Sequence, residues 1–197
     1  MLVKNASPKF LLPVIAPLLA VVLLVGCVNS AHDSLRARQV DDPSQMKVRS
    51  IEIQQAIADM IPDRYTHAND LAGPYDEDQK ASLLKCKPIL SSDYWNLEDE
   101  GEGVQYAGGF AVRLDEGAPA EDIVDQVYTE IVDSPKIGID RRSIPGSLTS
   151  DTILYTTDGY QVSVGYFLSK KGGQYLVDVY VWSPCFIPET MPPSRKI

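Results

Sequence analysis

The sequence predicts an α+β domain in two layers: an antiparallel sheet of about five strands with helices on one face, in the order α-β-β-α-β-β-β. Three observations lead there. Apolar residues alternate with polar or small ones over Val104–Leu114 and over Tyr160–Leu168, the period of a half-buried strand. Asp158-Gly159 and Lys170-Lys171-Gly172-Gly173 separate apolar runs, and glycine there accepts the positive φ of a tight hairpin. Two further segments repeat their apolar residues at helical spacing and stop at a proline.

The first helix is expected between Pro43-Ser44 and Pro62. Met46, Ile53, Ile57 and Met60 recur at spacings of seven, four and three, which puts them on one stripe. Ser44 is placed to cap its start and Pro62 to end it. A short helix near Asp76–Leu84 and a first strand over Lys85–Leu97 follow, then the acidic turn Glu98–Gly103. In the strand Val104–Leu114, Gly108-Gly109 reads as a bulge or as close approach by another backbone or an aromatic ring.

The second helix begins at Pro119, with Glu121 and Asp122 favourable to its dipole. Ile123, Val124, Val127, Tyr128 and Ile131 line its buried face, and Ser134-Pro135 stops it. After a loop over 138–150 come strands at Thr152–Thr157, at Tyr160–Leu168, and at a run whose apolar face is Tyr175, Val177, Val179 and Val181. One domain is thus expected over 45–188, with 189–197 a loose C-terminal tail.

Residues 1–26 have the order of an export signal: Lys4 and Lys9, the apolar run Phe10–Val25, then small Gly26. The run is shorter than the roughly 20 apolar residues of a membrane span, and Pro13 and Pro17 interrupt it. Leu24-Val25-Gly26-Cys27 resembles the lipobox of bacterial lipoproteins, in which the cysteine takes a diacylglyceryl group and becomes the new N-terminus. Cys27 is therefore the expected lipidation site, against an uncleaved anchor or a signal peptide without lipid. Two acyl chains hold a protein stably, at about 0.8 kcal/mol per buried methylene. Residues 27–44 are polar and read as a flexible tether reaching about 20–25 Å, with a longer first helix as the alternative. The expected location is the extracytoplasmic face of the cell membrane, with the membrane as partner through this lipid.

The formal net charge of -9 repels nucleic-acid phosphates and excludes that class of partner. It repels anionic lipid heads too, so attachment falls to the acyl chains. With Cys27 acylated, Cys86 and Cys185 remain, and an even pair in an exported domain reads as a disulfide. Two buried free thiols are the alternative.

Leu24-Val25-Gly26-Cys27, the hairpin Asp158-Gly159-Tyr160 and Ser183-Pro184-Cys185 closing a terminal strand together resemble small lipoproteins of actinobacterial cell envelopes. The resemblance implies the location and a disulfide-pinned α+β domain. It brings no catalytic residue and no cofactor.

Little else carries chemistry. His67 is the one imidazole in the folded part; in a polar loop it reads as a solvated side chain, with no nucleophile marked beside it. Two histidines in the whole chain exclude a His-rich metal centre. Counted from Asn96, Gly101 takes the sixth position of a calcium loop, but Ala107 stands at the twelfth where glutamate is required. Acids are plentiful, yet no spacing marks a pair for glycoside hydrolysis. Tyr180 and Trp182 share a strand face with Asp178, opposite Val177, Val179 and Val181. If the valines face the helices, these aromatics face outward and offer a ligand or partner surface. A second packed layer, or cover by the loop 138–150, is the alternative. The expected function is a non-enzymatic binding or accessory module of the envelope, taking an envelope protein or a small ligand. The alternative is a small envelope hydrolase using carboxylates.

Overall fold

Period-two patterning makes Val104–Arg113 a ten-residue strand, and the sheet is assembled around it. The computed structural model describes residues 38–40, 42–66, 80–86, 103–150, 152–170 and 172–197. The chain divides into two units, Met1–Leu35 and Arg36–Ile197, and every described residue belongs to the second. Its elements are β1 (Arg38–Val40), α1 (Ser44–Ala58), β2 (Leu83–Lys85), β3 (Val104–Arg113), α2 (Ala120–Asp133), β4 (Leu154–Tyr155), β5 (Gln161–Leu168), β6 (Tyr175–Trp182) and β7 (Phe186–Pro188). The seven strands form one sheet in the order β1-β7-β3-β6-β5-β4, with β2 also paired to β3.

The α+β class holds, while the strand count and element order differ from expectation. Among the described residues the sheet has seven strands rather than about five, and β1 pairs with β7 in parallel, so it is not purely antiparallel. β1 lies at Arg38–Val40, inside the stretch expected as tether, and β7 follows the expected last strand. Both are three residues long, too short to show a period. Leu83 and Leu84, expected at the end of a short helix, are strand. Residues 87–102, with most of the expected first strand and the acidic turn, lie outside the described residues, as does His67.

The chain after β6 stays along β3. Trp182 faces Ala107 and Phe186 faces Val104, so four steps on one strand match three on the other. The extra residue is a bulge, and Ser183 bridges it. The Ser183 N–H donates to the Tyr106 carbonyl at 2.9 Å, and its Oγ accepts from the Tyr106 N–H at 2.9 Å. Residues 189–197, expected as a loose tail, return to the domain: Ala81 and Ile197 exchange backbone hydrogen bonds of 2.9 and 3.0 Å.

α2 buries Ile123, Val124, Val127, Tyr128 and Ile131, as its periodicity requires. α1 is less regular. Ile53 and Ile57 are buried, but so are Lys47, Ser50 and Gln54. Ser44 lies inside the first turn and is itself capped: its N–H and hydroxyl both donate to the Asp42 carboxylate, at 3.0 and 2.6 Å. Those bonds, the hydroxyl's first, hold the Asp42 carboxyl below its usual range.

The polar residues of α1 explain one of the two central glycines. Ser50 Oγ donates to the Val181 carbonyl at 2.8 Å, and Gln54 Nε2 donates to Ser50 Oγ at 3.1 Å. A Cβ at Gly108 would lie 2.5 Å from each of these side-chain atoms, and one at Gly109 would lie 2.6 Å from the Val179 carbonyl oxygen. The register of β3 on β6 runs unbroken from Ala107 to Arg113, so close approach, not a bulge, accounts for the pair.

β4 is only two residues long, and a tyrosine from α2 takes over where it stops. The buried Tyr128 hydroxyl accepts the Val164 N–H at 3.1 Å and donates to the Thr152 carbonyl at 2.6 Å. Tyr128→Phe strands both backbone groups and is expected to cost about 1–3 kcal/mol. Urea unfolding measures this; a midpoint equal to that of the parent protein contradicts it.

Candidate functional site

β3, β5 and β6 turn one side of each strand to the helices and the other outward. Val162, Val164, Val177, Val179 and Val181 are buried in the main core with α1 and α2. The opposite face is built row by row. Trp182 sits between Ala107 and Gln161, Tyr180 between Gly109 and Ser163, and Asp178 between Ala111 and Gly165. Large aromatics on the middle strand are thus flanked by small or polar neighbours. Tyr180 is 49 % exposed and Trp182 half-buried. The two aromatics, with Ile153, Gln161 and Ser163, line a shallow cavity of about 270 Å³. Ile144 and Leu148 of the 138–150 loop pack against the main core, on the helical side of the sheet.

A second cavity, of about 550 Å³, lies beside the start of α1, where β1 and β7 meet the β4–β5 hairpin. Arg38, Asp42, Arg49, Glu52, Asp158 and Cys185 are among its lining residues. Nothing in the sequence pattern marks it, because its charged groups come from segments far apart in the chain. Arg49 is its hub. Its Nε donates to Asp158 at 3.0 Å, Nη1 to Glu52 at 3.1 Å, and Nη2 to the carbonyls of Lys136 and Ile137 at 3.2 and 3.3 Å. Partial burial works against the guanidinium charge, but the bonds to Asp158 and Glu52 outweigh it and raise its pKa. Below, the Tyr160 hydroxyl donates to the Met46 carbonyl at 3.1 Å. Burial, then the Asp158 charge, pushes that phenol upward.

Arg49 therefore ties α1 to the hairpin and to the loop after α2. A planar fork with this many fixed donors serves such a role where a lysine cannot. Glu52 and Asp158 both spend an oxygen on it, and their side chains remain 60 % and 42 % exposed. This is a surface ion triad, not a sequestered acid–base pair. Among the described residues, no group of three or more histidine, cysteine or acidic side chains is arranged to hold a metal ion.

Cys86 and Cys185 form a disulfide, with their Cα atoms 5.9 Å apart, an ordinary span for such a bridge. It joins the end of β2 to the bulge before β7. Comparison with protein-family models, curated proteins and solved structures finds no match. Of the residues singled out by sequence, the structure brings Tyr180 and Trp182 onto one face and joins Cys86 to Cys185. Cys27 lies outside the described residues. No helix among the described residues is long and apolar enough to cross a membrane.

Proposed function

We propose that this chain is an extracytoplasmic lipoprotein, anchored through acylated Cys27 and similar to the small lipoproteins of actinobacterial envelopes. It acts as a non-enzymatic binding or accessory module, and its binding surface is the outer sheet face around Tyr180 and Trp182. The observation that carries the reading is the layout of that face: two aromatics side by side, between strands whose facing residues are Ala107, Gly109, Gln161 and Ser163. Partly exposed aromatics of this kind concentrate binding energy at interfaces. The Cys86–Cys185 disulfide supports an oxidising compartment, since such bonds persist outside the cytosol. The hydrolase reading calls for two carboxylates free to act in a cleft. The larger cavity has three among the described residues, Glu52 and Asp158 engaged by Arg49 and Asp42 by Ser44, which favours the binding module.

Metabolic labelling with an alkyne fatty acid and cell fractionation test the anchor. The parent protein is expected to carry label and to sediment with membranes, and Cys27→Ser to do neither. An unlabelled parent protein, or a Cys27→Ser variant that still sediments with lipid, removes the proposal.

A further inference from the structure

A second exposed region lies at the other end of the same strands. We infer that the tip of the β5–β6 hairpin enters the headgroup layer of a lipid membrane and so fixes how the tethered domain stands on it. The inference rests on the reading of the chain as a lipid-anchored protein. It goes beyond the anchor and is separate from the Tyr180–Trp182 face.

The apolar side chains at this end are exposed on both faces of the sheet. Phe167 is 48 % exposed, Leu168 54 % and Tyr175 40 %. Val162 and Val164 of β5 point into the main core, so period two puts Tyr166 and Leu168 on the helical side and Phe167 on the outer one. Leu168 pairs with Tyr175, whose ring meets that of Tyr166 edge-on at 5.8 Å. Phe167 pairs with Leu176 on the other face. A flat protein partner covers one face of such an end, whereas a lipid layer surrounds it and takes up both. Tyrosine suits the boundary of that layer, with an apolar ring and a polar tip.

Charge selects the same occupant. The turn reads Lys170-Lys171-Gly172-Gly173 in a chain of net charge -9, and Lys170 is exposed. Arg113, also exposed, stands beside Leu176 in the Phe167 row. Such cations meet the phosphates of anionic lipids, and each lysine near that surface strengthens the contact about fivefold. Acids mark where insertion stops. Asp115 and Glu116 follow β3, where the Asp115 N–H leaves β6 for the Tyr65 carbonyl at 2.8 Å. The charge of Glu121, foremost, pushes the Tyr166 phenol upward, and Asp125 adds to it; both are exposed residues of α2. From Tyr166 to Ser169 the strand advances about 10 Å, which matches the depth of interfacial segments, about 5–10 Å. The segment from Cys27 to Arg38, fully extended, would span up to about 36–40 Å, against about 27 Å for the eight-residue β6, a reach sufficient for acyl chains and hairpin to meet one surface.

A depth measurement on the full-length protein, reconstituted with vesicles of phosphatidylcholine and phosphatidylglycerol whose acyl chains carry bromine, tests this. A solvent-sensitive fluorescent amino acid is placed at Leu168 or, as a control, at Tyr155, which pairs with Gln161 at the opposite end of β5. The Leu168 probe is expected to shift to the blue and to lose about half of its emission or more to the bromines, and the Tyr155 probe to do neither. Lys170→Glu/Lys171→Glu should reduce that quenching about twofold or more at an unchanged melting temperature. A Leu168 probe that stays in water on vesicle-bound protein overturns the inference and leaves the anchor standing. So does a blue shift without bromine quenching, which puts a protein over the hairpin. Equal quenching at Leu168 and Tyr155, or quenching that the lysine reversal leaves unchanged, overturns it too. Protein that remains free of the vesicles, with an unshifted probe, defeats both the anchor and the hairpin contact.

Discussion

Replacement of Cys185 by serine is expected to lower the stability of this domain by about 4–5 kcal/mol, the chain-entropy value for a loop of about 100 residues. The bridged cysteines are 99 residues apart, so their bond restricts most of the domain's unfolded chain. The native state is affected as well. Cys185 lies in the bulge that carries the chain from β6 to β7, and its carbonyl accepts the Arg38 N–H at 3.3 Å. Guanidinium unfolding of Cys185→Ser and of the double variant Cys86→Ser/Cys185→Ser, each against the oxidised parent, measures the loss. Equal losses in the two variants assign the effect to the bond. A loss below about 1 kcal/mol contradicts the expectation.

Phe186→Ala is expected to cost about 3–5 kcal/mol, the range for emptying an aromatic site in a core. Phe186 is fully buried at the centre of a second, smaller cluster with Val40, Leu83, Val104 and Tyr106. These five residues come from β7, β1, β2 and β3, so one phenyl ring supports four strands. Met46, Ala81 and Ile197 close the cluster from outside. The main core, built on α1, α2 and the valines of β5 and β6, does not include it. Amide exchange in Phe186→Ala should therefore rise first in β1, β2 and β7, with β5 and β6 following only on global unfolding. Uniform acceleration across all strands counts against two separate clusters. Cys185 and Phe186 are neighbours, so the two losses are not expected to add.

The parts of the fold that could be read in advance were those with a period. β3, β5 and β6 are eight to ten residues long and alternate, and α2 repeats its apolar residues at helical spacing. The hairpin at Asp158-Gly159 was legible for a different reason: Gly159 sits at φ +92°, which other residues resist. Three short strands escaped. β1, β2 and β7 span three residues each and take their place from pairing and from Phe186, which no local pattern announces. In α1 the apolar stripe was found but Lys47, Ser50 and Gln54 were not expected inside; Ser50 and Gln54 are buried against Gly108 on a distant strand, which no local pattern announces.

The candidate site divides the same way. Alternation along β6 separated Tyr180 and Trp182 from the valines on the other side. It said nothing of Ile153, Gln161 and Ser163, which line the same cavity; the last two stand beside Trp182 and Tyr180 by strand register, a property of two strands at once. Arg49 was invisible for the same kind of reason. Its partners lie at Glu52, Asp158, Lys136 and Ile137, so only folding reveals the clamp.

The direction of β1 has a mechanical consequence. It runs parallel to β7, with Arg38 beside Phe186 and Val40 beside Pro188. Tension arriving through the preceding chain and directed along the strand loads these contacts in shear, so they share the force instead of parting one after another. The adjoining covalent crosslink at Cys185 then passes that force toward β2 on the far side of β3. A pull on the leading end is met by a seam that resists sliding.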